Sequence, residues 1–255
     1  MAVILGGNDT LPQITLTQSQ TFVPPQDGNV CIHVIAGGGA GYAGDTNLSG
    51  GAGGYSKKTT LAVTTAGSFT VVVGVGGVGN RNGATPAAGG NSTVAGTGLS
   101  ATITANGGAG ATANFNGGGG SASNGDVNNS GGGGQPAGGG AVGVYGTGNT
   151  GVASVRGGQS DASGGGLPMS GFGHIVGGNA GRFNQLNGVG TGSPPDAGDL
   201  SGGGAVVFQG NVALSRGGNG GIGGGGGGAR ATSGNAYAIG GAGGDGLVLI
   251  QYLPS

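Results

Sequence analysis

Gly223-Gly224-Gly225-Gly226-Gly227-Gly228, with the shorter run Gly131-Gly132-Gly133-Gly134, is the stretch on which the reading of this chain turns. Glycine supplies 75 of the 255 residues. It brings no side chain to bury and loses more backbone entropy on ordering than any other residue. Such runs are therefore either disordered or held by backbone hydrogen bonds.

Composition argues against disorder. A disordered chain stays solvated through high charge and few apolar residues, whereas this one is 6% charged and 35% hydrophobic. Collagen is excluded because runs of consecutive glycine break its triplet. The remaining ordered option is extended polyglycine II, three residues per turn, in which neighbouring backbones approach closely enough to satisfy each other's N–H and C=O groups. Cα–H···O contacts add a smaller gain.

The stretches between the runs read as strands. Residues 14–23 and 30–36 are separated by Pro24-Pro25-Gln26-Asp27-Gly28, a turn signal. Residues 55–63 and 68–75, rich in Thr and Val around Ala66-Gly67, read as a hairpin, and residues 101–105 and 247–253 add two more strands. In the last, Leu247, Leu249 and Leu253 fall on one face and Val248, Ile250 and Tyr252 on the other, the pattern of a central strand. No window shows a helical period of useful length, and glycine interrupts nearly every stretch long enough to hold one. The expected fold is β plus polyglycine II: a small β-sandwich base carrying a bundle of stacked polyglycine II helices, with almost no α-helix. The expected division is 1–20 as an attachment segment, 21–106 plus 246–255 as the base, and 107–245 as the bundle with exposed loops.

Several function classes lose support. A net charge of −1 leaves no basic face for nucleic acid, and the triplets Arg156-Gly157-Gly158 and Arg216-Gly217-Gly218 are isolated. The single Cys31 cannot form an internal disulfide and reads as a small buried apolar residue. No basic, apolar leader and no apolar run of membrane-spanning length is visible, so synthesis and folding in the cytosol, without a signal peptide or membrane insertion, is expected. The acids are all Asp and the histidines are His33, within a strand, and His174, with no acid nearby. No metal-ligand spacing is present. Asp161, Asp196 and Asp199 sit where Asp caps turns. No enzyme activity, metal or cofactor is expected. Gly74-Val75-Gly76-Gly77-Val78-Gly79 matches the dinucleotide fingerprint, but no helix opens after it and position 95 is Ala95 instead of an acid, so the match is composition.

Thr21-Phe22-Val23-Pro24, the run from Val30 to Gly39, Gly53-Gly54-Tyr55-Ser56-Lys57-Lys58, and the run from Gly243 to Ile250 together resemble the glycine-rich domain of bacteriophage tail-fibre and appendage proteins. The polyglycine part is similar in character to the tip adhesins of T-even-type tail fibres. The resemblance implies a virion protein, in a tail fibre or appendage, that binds a host-surface protein or glycan through loops and contacts other fibre or tail proteins, as a homotrimer or a single chain. The alternative is a structural virion component, a fibre connector or capsid decoration, without receptor binding.

Aromatic and Arg residues dominate interface energetics, so loops that carry them are the candidate contacts. Counting chain reversals from both ends places residues 42–48, 80–86 and 229–239 at the tip, with Tyr42, Arg81, Asn82, Arg230 and Tyr237. Tyr145, Arg182 and Phe183 are further candidates from the middle of the chain.

Overall fold

The computed structural model describes residues 2–4, 13–44, 48–81, 85–134, 138–139, 148, 167–169, 173–175, 184–187, 191–192, 206–209, 214–231 and 237–254. Of residues 2–4, 167–215, 230, 231 and 237 only the backbone is described.

Two antiparallel sheets pack face to face. The first runs Ala2–Ile4, Gln13–Leu16, Leu247–Tyr252, Gly28–Ile35, Tyr55–Val63, Val127–Asn129, and the second Ala122–Ser123, Ile103–Ala105, Ser92–Gly96, Phe69–Val72, Gln20–Phe22. Strand alternation sends Val30, Ile32 and Val34 into the space between them, where they meet Leu61, Val63, Phe69, Val71, Val94, Ile103, Val248 and Ile250. Leu247–Tyr252 lies inside the first sheet, and Leu247 and Leu249 on its opposite face are buried too. A strand apolar on both faces is central here, as its sequence pattern requires.

Two strand expectations need correction. Residues 14–23 are not one strand: the chain leaves the first sheet after Leu16 and joins the second at Gln20, and the Ser19 hydroxyl accepts the Val73 N–H at 3.0 Å. The pair expected as a hairpin is split between sheets, because Phe69–Val72 pairs with Gln20–Phe22 and Ser92–Gly96 instead of Tyr55–Val63. Leu61 and Val63 face Phe69 and Val71 across the core, so their strands must come from opposite layers.

The expected bundle of stacked polyglycine II helices is overturned. The regular structure of the described residues is all β, with no helix of any kind, and ten strands begin between residues 122 and 237, inside the stretch expected to be bundle. The physical reason is the mixed segments between the glycine runs. Apolar groups such as Val206-Val207-Phe208 favour strand pairing, and two parallel sheets result. One is ordered Asn184–Asn187, Val206–Gln209, Ala229–Ala231, Ala43–Gly44, the other Thr191–Gly192, Leu214–Arg216, Tyr237–Ile239. Along both, from residue 184 onward, each partner lies 22 or 23 residues further on. Leu167–Met169 and Gly173–Ile175 form a separate antiparallel pair.

The glycine runs connect these sheets as segments without a regular element, held by bonds between segments. Segment 36–42 is enclosed by six others: 48–54, 74–80, 86–90, 106–111, 223–229 and 240–246. Its N–H groups go in turn to Gly54, Gly90, Gly244, Gly51, Ala87 and Gly241, while Gly77, Gly108, Gly226, Ala111 and Ala229 donate back to it. Buried backbone is thereby paired without a two-strand ladder. The approach is so close that a Cβ at Gly39 would fall on the Ala109 carbonyl.

Candidate functional site

Segment 36–42 runs away from the sandwich out of Gly28–Ile35, and segment 48–54 returns into Tyr55–Val63. The turn 112–116 and the described residues Ala43–Gly44, Arg81 and Ala229–Ala231 therefore fall at the end remote from the sandwich. Backbone pairing joins three of them: Arg230 is in register with Gly44, and Arg81 forms an isolated antiparallel bridge with Ile239. The described residues of the three loops singled out in the sequence are neighbours.

Their side chains differ in what they offer. Arg81 is exposed. Tyr42 is buried, with 8% of its surface accessible. Its ring lies back over Gly44, where an added Cβ would come within 2.7 Å of Cε1, and its backbone bonds Leu48 and Ala229. A glycine two residues on leaves a flat seat for the ring, and Tyr42 has little surface left for a contact. Arg230 and Tyr237 are placed by backbone alone, on Ala229–Ala231 and Tyr237–Ile239. Asn82, Tyr145, Arg182 and Phe183 lie outside the described residues.

A fifth side chain at this end escaped the sequence reading. Phe115 is 73% exposed, and its turn is fixed by Thr112. The Thr112 hydroxyl accepts the Phe115 N–H at 3.1 Å, and the Thr112 N–H donates to the Phe115 carbonyl at 2.8 Å. Next to it, the Asn116 side-chain oxygen accepts the Ser49 N–H at 3.0 Å, tying this turn to the reversal at 42–48. The signal was present: an aromatic in an Asn- and Gly-rich loop is the criterion that selected Tyr42.

Among the described residues, one cluster with the residue types of nucleophilic catalysis lies elsewhere. On the first sheet's face away from the core, Cys31 Sγ is 3.3 Å from His33 Nε2, and His33 Nδ1 is 2.8 Å from the Tyr55 hydroxyl. All three are buried. Burial, then the Lys57 charge, lowers the His33 pKa to about 3, and burial pushes the Cys31 thiol up. The group is a neutral hydrogen-bonded chain without an ionised thiol. Beside it, Tyr55–Val63 carries a bulge: Val30 faces Leu61 but Ile32 faces Lys58, so Thr59 and Thr60 stand opposite Cys31. Asp126 fills the gap, accepting the Thr59 N–H at 2.8 Å, the Thr59 hydroxyl at 2.6 Å and the Lys58 ammonium at 2.7 Å. Among the described residues no group of three or more His, Cys, Asp or Glu could hold a metal ion.

These features define a class: an all-β protein of two packed antiparallel sheets whose glycine-rich connections pack by backbone contact. The chain belongs to the family described as Glycine-rich domain, which matches residues 15–253. No curated protein matches it in sequence.

Proposed function

We propose that this chain is a bacteriophage tail-fibre or appendage protein that attaches the virion to a host cell through the reversals remote from its sandwich. The observation that carries this reading is the convergence of three separate stretches, around Gly44, Arg81 and Arg230, on that one end. A scaffold held by backbone bonds tolerates change in the loops it presents, which suits a recognition surface. The resemblance of the runs around Val30–Gly39 and Gly243–Ile250 to appendage glycine-rich domains supplies the virion setting.

The test is retention of the purified chain on intact bacteria from a panel of strains, with light scattering on the same sample. Saturable retention on some strains and not others, reduced when Arg230→Ala and Tyr237→Ala are combined, supports the reading. A folded, monodisperse sample retained by no strain overturns it.

One observation favours the second reading, a structural virion component. Val72, Val75 and Val78 are 40%, 69% and 67% exposed and recur every third residue in the sequence. Such a row suits side-by-side packing on another chain. Light scattering showing a stable oligomer that Val75→Ser with Val78→Ser dissolves, without loss of fold, would favour it.

A further inference from the structure

We infer that Phe115 is the stacking platform of a site for a neutral sugar, the contact by which the remote end takes hold of a surface glycan; this rests on the reading of the chain as a cell-attachment protein. Phe115 is the most exposed large apolar side chain among the described residues. An aromatic ring held in water forgoes a large burial gain. Here the described residues leave most of the ring exposed, yet the turn beneath it is built: three bonds join Thr112 to the Phe115 backbone, and the Asn116 side-chain oxygen accepts the Ser49 N–H. A preformed turn lowers the ordering cost of a partner that lands on it.

The surroundings choose the partner. From residue 82 to residue 125 the sequence contains no Asp, Glu, Lys, Arg or His. The turn itself therefore supplies no charged side chain to offset the desolvation of a charged ligand. What flanks the ring is Thr112, Ala113, Asn114 and Asn116, small residues and amides. The Asn114 side chain is exposed and makes no hydrogen bond among the described residues, although its N–H is held by Thr112 at 3.4 Å. A pyranose presents one apolar C–H face and a rim of hydroxyls. The face fits the ring, and the rim fits an amide that both donates and accepts. A protein loop would need more apolar area than one ring among Ala, Asn and Thr supplies.

The experiment uses the intact chain, the strain it retains best, and the neutral polysaccharide of that strain freed of protein and lipid. Expected are binding to the immobilised polysaccharide, a loss of about tenfold or more in affinity for Phe115→Ala, near-full retention for Phe115→Trp, and a smaller loss for Asn114→Ala. Far-ultraviolet circular dichroism and the unfolding midpoint of each variant verify the fold. Retention on cells without binding to the polysaccharide, or Phe115→Ala binding as tightly as the parent chain, overturns the sugar site and leaves the attachment reading standing. Retention on no strain overturns both.

Discussion

His33 Nδ1 lies 2.8 Å from the Tyr55 hydroxyl across two neighbouring strands, and both residues are buried. Tyr55→Phe keeps the ring and removes the hydroxyl, leaving a buried ring nitrogen without this partner. A loss of about 1–3 kcal/mol is expected, read from the urea unfolding midpoint.

The same histidine gives the fold an acid dependence. Its pKa is lowered to about 3 in the folded chain against 6.5 unperturbed, so below pH 6.5 the unfolded chain binds the extra proton and the folded one does not. This contribution is complete above pH 6.5 and is lost as pH falls toward 3, at about 1.4 kcal/mol per unit within that window. Unfolding midpoints between pH 7 and pH 4 should show the slope, and His33→Leu should flatten it.

Asp126 acts lower on the pH scale. Its bonds to Lys58 and Thr59 hold its carboxyl at about 2 against 3.8. The depressed value means that its stabilisation is present above pH 3.8 and disappears as pH falls through 2. Asp126→Ala also strips the bulge of the acceptor for the Thr59 N–H. Because the site is exposed, water replaces that acceptor, and a loss of about 1 kcal/mol or less is expected at pH 7, measured by thermal unfolding.

Glycine is required in some positions and tolerated in others. Gly39→Ala drives its methyl into the Ala109 carbonyl inside the ring of six segments, whereas a Cβ at Gly118 meets nothing within 4 Å. Gly39→Ala should cost about 3 kcal/mol or more, or prevent folding. Gly118→Ala should be neutral to slightly stabilising. Paired urea titrations separate the two.

Tyr42 and Arg81 should part company in the same way. Truncating the buried ring in Tyr42→Ala is expected to cost about 3–5 kcal/mol. Arg81→Ala, at an exposed position, should shift stability by no more than about 0.5 kcal/mol while lowering retention on cells. Unfolding midpoints and cell retention on the same two variants make the comparison.

What the sequence disclosed depended on side chains. Leu247–Tyr252 was legible because both of its faces are apolar, and the sandwich strands around Val30 and Leu61 because Val30, Ile32 and Val34, and Leu61 and Val63, recur at every second position. Ser92–Gly96 was not, since a lone Val94 among Ser, Thr, Ala and Gly leaves no period to read. The partner of Phe69–Val72 was hidden because alternation fixes which residues face the core and not which sheet supplies them. The glycine runs carry no side-chain pattern at all, so their reading rested on backbone chemistry, and the parallel strands among them went unseen. At the remote end, counting reversals could not show that Tyr42 folds back over Gly44 or that Phe115 stands clear.

The place of Leu247–Tyr252 between Gln13–Leu16 and Gly28–Ile35 governs the order of assembly. Its two neighbours leave the ribosome early and wait, their inner edges unpaired, while nearly all the intervening chain is made. Non-local pairing of this kind is slow and leaves strand edges open to wrong partners. Release of nascent chains stopped before residue 247 should yield protease-sensitive material. The first sheet closes only when that strand slides into the gap, so birth of the fold is a late, single event and not a growth from the N-terminus.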